Sequence, residues 1–191
     1  MTVGTKSILF GVHQFLIHPL FVAAAWTKLY GWPWDARLWV AFFVHDLGYW
    51  GKPNMDGKEG QMHVFLGARI MHWLFDGRYH YDVEWYDFCL FHSRYYAAES
   101  GTLPSRLCFA DKLATCLYPA WLYLPLAHLS GEIHEYISLA RPGCRDGYME
   151  VPSYDERRWL QGVQTYLRQW VGKHKDGSED TWTRVDQSDR R

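Results

Sequence analysis

Apolar residues recur along this chain at spacings of three and four, not in the period of two that a half-buried strand requires. The pattern therefore reads as helices throughout. A first helix is predicted over residues 5–30, ended by Gly31, Trp32 and Pro33, with Pro19 kinking it or dividing it in two. Trp34 and Asp35 open a second, which ends near Leu47 and Gly48. Residues 51–57, with Gly51, Pro53, Asn54 and Gly57, form a loop. A third helix covers residues 60–75 and stops at Asp76 and Gly77; a fourth covers residues 83–98, closed by Ser100 and Gly101. Thr102 or Leu103 caps a fifth, with Pro104 in its first turn. Pro119, Pro125 and Gly131 punctuate a further helical region that ends before Pro142, and a last helix runs over residues 154–171. The fold class is all-α, an orthogonal helical bundle with a site among its helices. Residues 1–172 form one domain, and residues 173–191 are a polar tail.

Composition narrows the function classes. Over 191 residues, 48% are hydrophobic and 18% aromatic, which suits one globular domain with a sizeable core and excludes a disordered chain. A net charge of −1 removes any general attraction to nucleic acid or anionic lipid, so neither is an expected partner. Cys89, Cys108, Cys116 and Cys144 form no CxxC pair. The first three lie in apolar helical surroundings, as reduced buried thiols do, and a cytoplasmic setting follows. Two stretches without charge, residues 7–27 and 113–129, raise the question of a signal or a membrane span. His13, Gln14, His18 and Pro19 interrupt the first, and Pro119 and Pro125 break the second, so no membrane partner is expected.

The chemistry sits in an ordered set: His18, the adjacent His45 and Asp46, His63, His92 and Asp111. His45 and Asp46 end the apolar run of residues 38–44. An imidazole and a carboxylate at the end of a buried segment need something cationic to satisfy both. The 27 positions from His18 to His45 suit two helices and a short loop that bring the imidazoles together. Asp46 can hold one ion or bridge two, Asp111 would complete the first site, and His63 and His92 would supply nitrogen to a second. Each residue also has an ordinary reading: a helix-terminal ion pair for His45 and Asp46, a surface acid for Asp111, satisfied core imidazoles for the rest. His13 lies five positions before His18, about 140° round a helix, and is placed off the site.

The segments His18-Pro19-Leu20-Phe21-Val22-Ala23, Phe42 to Tyr49 around His45-Asp46, and Phe109-Ala110-Asp111-Lys112 resemble the HD-domain superfamily of metal-dependent phosphohydrolases. His63 to Ala68 and Leu90 to Ser93 resemble the segments that carry two extra histidines in its bimetallic branches. The resemblance spans roughly residues 12–117. It departs from cyclic-di-GMP phosphodiesterases, since no Gly-Tyr-Pro triplet is present, and from alarmone hydrolases, since Gly48, Tyr49 and Trp50 stand where a Glu-Asp pair would follow.

The resemblance implies an HD-type orthogonal bundle and a two-ion site for Fe, Mn, Co, Ni or Zn. It also implies hydrolysis of a small phosphate ester, such as a nucleotide, with Asp46 central to catalysis. Lys112, Arg94 and Lys52 are candidate phosphate contacts, Lys112 and Arg94 ahead of Lys52. Gln14, Tyr95 and Tyr96 are candidate pocket residues. The alternative implied by the same branches is a di-iron oxygenase of the inositol-oxygenase or phosphonate-cleaving kind. A third class, a binding module that keeps a metal for structure, is disfavoured by the full ligand set. Trp159, Tyr166 and Trp170 on the last helix are offered as a homodimer face.

Overall fold

In the computed structural model, which describes residues 1–77, 83–139 and 155–177, the periodicity resolves into helices, and no strand occurs among the described residues. They are α1 (Val3–Phe10), α2 (His18–Tyr30), α3 (Ala36–Val44), α4 (Lys58–Gln61), α5 (Val64–Phe75) and α6 (Glu84–Leu90). They continue with α7 (Arg94–Glu99), α8 (Arg106–Thr115), α9 (Ala120–Ser130), α10 (Glu132–Leu139) and α11 (Glu156–His174). A single 3-10 turn, Leu47–Tyr49, follows α3.

Three of the expected helices are broken. The first divides into α1 and α2, and Pro19 sits in the first turn of α2, where its missing N–H costs no hydrogen bond. The predicted helix over residues 60–75 is α4 and α5, separated at Met62 and His63. The one over residues 83–98 is α6 and α7, separated at residues 91–93, where Ser93 adopts an extended backbone. The fifth begins later than expected: Ser105, not Thr102 or Leu103, precedes α8, and Pro104 lies outside it. Asp35 does open α3, its carboxylate accepting the Arg37 N–H at 2.9 Å. Asp155 caps α11 through the Arg157 and Arg158 amides, and the helix continues past residue 172 to His174. His80, Cys144 and residues 178–191 of the expected tail lie outside the described residues.

The main core gathers Val22, Ala25 and Trp26 of α2, Ala41 and Phe42 of α3, Ala68 and Met71 of α5, Cys89 of α6, and Leu107, Ala110 and Ala114 of α8. The alanines keep these helices close, so α2 packs on α8 and α5 on α3 and α6. At Gly67 a Cβ would lie 2.7 Å from the Val44 carbonyl and 2.8 Å from the His45 Cα. The absent side chain thus lets α5 rest on bare backbone at the end of α3.

A second cluster joins Val12, Tyr118, Tyr123, Ala127, Ile133, Trp159 and Leu160; a third joins Cys108, Phe109, Trp170 and Val171. The inner face of α11 contributes to both. Trp159 and Trp170 retain 3% and 4% of their exposure, and Tyr166 accepts hydrogen bonds from Arg94. Trp159 and Trp170 therefore fill the interior, and Tyr166 is half-buried beside Arg94. Cys89, Cys108 and Cys116 are buried free thiols, as anticipated. Among the described residues no helix is long and apolar enough to cross a membrane.

Candidate metal centre

Four of the five imidazole and carboxylate groups singled out along the chain reach the centre from helix ends. His18 is the first residue of α2, His45 caps α3, His63 precedes α5, and His92 lies just past α6; Asp111 projects from within α8. Three of the histidines are held alike. Nδ1–H of His45 donates to the Phe42 carbonyl at 3.0 Å, that of His63 to Gly60 at 2.8 Å, and that of His92 to Cys89. With Nδ1–H so engaged, each ring turns Nε2 inward, the orientation a ligating imidazole needs.

The inward atoms form two groups sharing Asp46. His18, His45, Asp46 and Asp111 make one; Asp46, His63 and His92 make the other; within each, the donor atoms all lie within 4.8 Å of one another and every residue is buried. Asp46 divides its oxygens between them. Its Oδ2 is 3.4 Å from His18 Nε2 and 3.2 Å from His45 Nε2, while its Oδ1 is 3.6 Å from His63 Nε2 and 3.4 Å from His92 Nε2. Asp111 Oδ1 lies 3.1 Å from His18 Nε2 and 3.9 Å from His45 Nε2. The six residues read from the sequence are thus brought together.

Whether this set fits a cation can be judged from the polar atoms it leaves over. His45 Nε2 and Asp46 Oδ2 are buried without a hydrogen bond, a costly condition that a metal would relieve. His63 and His92 face each other through Nε2 at 3.1 Å while both Nδ1–H groups are occupied, so two lone pairs oppose unless a proton or a cation lies between. Burial, and then the neighbouring His92, hold His63 well below its ordinary range, which favours the neutral, ligating form. Nitrogen and oxygen donors without thiolate suit Mn, Fe, Co, Ni or Zn.

The charge balance of the metal-free centre leads to a measurable outcome. Burial works against charge on His45, but Asp46 and Asp111 outweigh it and lift this imidazole to about 10. Burial would also raise Asp46 and Asp111. For Asp46 the His45 charge overrides it; for Asp111, the Lys112 charge and the bond from His18 do, and both stay well below the usual carboxylate range. At pH 7 the metal-free protein therefore carries His45 as imidazolium, and a metal must displace that proton. Titrating the protein with Zn²⁺ in unbuffered solution at pH 7 should release about one proton or more per chain. Metal uptake without acidification would mean that His45 is neutral before the metal arrives.

The candidate cations divide. Lys112 Nζ reaches Asp111 Oδ2 at 2.9 Å and its side chain remains one-third exposed, at the boundary between the centre and solvent. Arg94 is turned to α11 instead: its guanidinium bonds Tyr166 Oη at 3.2 and 3.3 Å and lies 4.2 Å over the Trp170 ring. Gln14 bends back towards the Leu9 carbonyl, and Tyr96 packs edge-on to Phe65.

Three residues escaped the sequence reading. Tyr49 stacks on the His63 ring at 3.9 Å, nearly parallel, and holds it flat. His13, set aside by helical-wheel geometry, lies in the irregular segment after α1, with its ring 5.4 Å from that of His18 and 5.3 Å from Tyr49. The wheel assumed a continuous helix that does not exist. Glu132, fully buried at the start of α10, binds His13 Nδ1 at 3.0 Å, the Val12 amide at 3.0 Å, Ser130 Oγ at 2.6 Å and Tyr136 Oη at 3.0 Å. Burial opposes charge on His13, yet the bond and charge of Glu132 raise it to about 9.

Comparison with protein-family models, with curated proteins and with solved structures returns no match for this chain.

Proposed function

We propose that this protein is an HD-type metal-dependent phosphohydrolase acting on a small phosphate ester, with a two-ion site. The observation that carries the reading is Asp46, whose two oxygens face two separate histidine groups. His18, His45, Asp46 and Asp111 would hold one ion, and Asp46, His63 and His92 the other. Bound there, two divalent cations supply Lewis acidity towards a phosphoryl oxygen and lower the pKa of water to near neutrality.

The remaining steps belong to the chain's own groups. Lys112, fixed by Asp111 and open to solvent on one side, meets a phosphoryl oxygen as a point charge. His13 holds a proton on Nδ1 against Glu132, with its ring 5.4 Å from that of His18. It would protonate a departing alkoxide. Second-site imidazoles are kept in register by the backbone carbonyls of Gly60 and Cys89 and by the face of Tyr49.

Lys112→Gln should raise KM for the phosphate ester by roughly tenfold, one charge-assisted hydrogen bond, with metal content unchanged. An unaltered KM would take Lys112 out of substrate binding. The reading as a whole is tested on protein purified without oxygen. Mn²⁺- or Co²⁺-dependent phosphate release from a panel of nucleotides and sugar phosphates supports it. Turnover that needs oxygen and iron alone, measured on phosphonates and polyols, replaces it with the oxygenase alternative.

A further inference from the structure

A concave feature is formed by the segments around Asp46 and His63. It is a cleft of about 380 Å³ lined by Gly48, Trp50, Lys52, Met62, Phe65, Leu66 and Arg69. None of the six metal-centre residues lines it. Its size falls in the range of roughly 300–1,000 Å³ typical of small-ligand sites.

Two aspects of its lining stand out. Trp50, Met62 and Leu66 keep 60%, 46% and 44% of their exposure, a concentration of large apolar side chains around a concavity. Lys52 and Arg69 flank them, and neither side chain makes a hydrogen bond or ion pair among the described residues. The nearest carboxylate on α4, Glu59, is committed to Asn54 at 2.8 Å and lowered chiefly by that bond. The cleft therefore joins apolar walls, Trp50 and Phe65, to two cations that make no hydrogen bond among the described residues.

The geometry points to a binding site, separate from the metal centre, for a small anion that carries a planar ring, of the nucleoside-monophosphate class. The ring lies against Trp50 and Phe65, and the phosphate is met by Lys52 and Arg69. The cleft also adjoins the centre physically. One wall is the 3-10 turn that follows Asp46, and another is the opening of α5 after His63. A side chain at Gly48 would collide with the His63 carbonyl, so these two walls touch as bare backbone. A ligand in the cleft bears on both segments.

The site does not depend on hydrolysis at the centre, and the test keeps the two apart. Full-length Asp46→Ala protein, which cannot turn AMP over, is titrated with AMP by calorimetry, with adenosine and inorganic phosphate as comparisons. AMP is expected to bind, more tightly than either fragment. Adding Lys52→Gln and Arg69→Gln should weaken AMP roughly tenfold for each cation removed, with far-UV circular dichroism unchanged. The proposal is overturned if Asp46→Ala protein binds no AMP, or if it binds AMP equally with and without Lys52 and Arg69. It is also overturned if the two cations prove necessary only for sedimentation with phosphatidylglycerol vesicles, which would make the cleft a lipid-facing surface.

Discussion

Asp46→Ala should lose both metal ions and reduce turnover by more than roughly 10³-fold, beyond what loss of a single electrostatic contact costs. The expectation follows from the division of its oxygens, Oδ2 towards His18 and His45 and Oδ1 towards His63 and His92. Removal of this one carboxylate deprives each group of an oxygen, and the second group of its only carboxylate. His63→Ala and His92→Ala should behave differently, each lowering metal content from about two ions to about one, because the four-residue group stays intact. Metal analysis of the three variants beside the parent, with circular dichroism to confirm retained helix, distinguishes a bridged pair from two independent sites. Retention of one full equivalent by Asp46→Ala would show that Asp46 bridges nothing.

Removal of the Glu132 carboxylate should be the most destabilising single change near the centre. In Glu132→Ala, His13, the Val12 amide, Ser130 and Tyr136 all lose a partner inside the protein. Breaking a buried pair in this way costs about 3–5 kcal/mol. For a chain of this size that is a fall in Tm on the order of 10 °C. Glu132→Gln keeps the shape and part of the bonding and should cost less, about 1–3 kcal/mol.

The pH dependence gives an independent reading on metal-free protein. His13 is raised from 6.5 to about 9, so the stabilisation it draws from Glu132 is complete below pH 6.5 and lost as pH rises through about 9. Glu132 is lowered from 4.5, so its share is present above that value and disappears on acidification. The gap in Tm between the parent and Glu132→Gln should therefore narrow steadily from pH 6.5 to beyond pH 9. A gap that is constant across that window would mean His13 is neutral throughout.

The sequence pattern and the structure agree where local chemistry decides. The helical period, the Asp35 cap and the boundary at Gly31 are local properties, and all were legible. So were the six residues of the centre, because imidazoles and carboxylates at the ends of apolar runs have few other reasons to be there. The breaks at His63 and His92 were not legible. No proline or glycine stands at either position; the chain turns as each ring bonds a carbonyl three residues upstream. Glu132 was invisible for another reason, since it lies 119 positions from His13 and its surroundings resemble those of a surface acid. Arg94 looked like a phosphate contact because it follows His92 by two residues. The extended backbone at Ser93 turns the chain between them, and the guanidinium meets α11.

The common bracing of His45, His63 and His92 bears on how such a centre assembles. Each ring is aimed by the peptide oxygen of its own turn, so its bearing is settled within four consecutive residues before the helices meet. Final docking has only to bring ready-aimed nitrogens into range, and the entropy of fixing three rings is met locally rather than at the moment of metal capture. Because the brace is main chain, the side chains of Phe42 and Cys89 and the bare Cα of Gly60 answer to packing around them and not to the aim of a ligand. The constraint falls on where each helix stops.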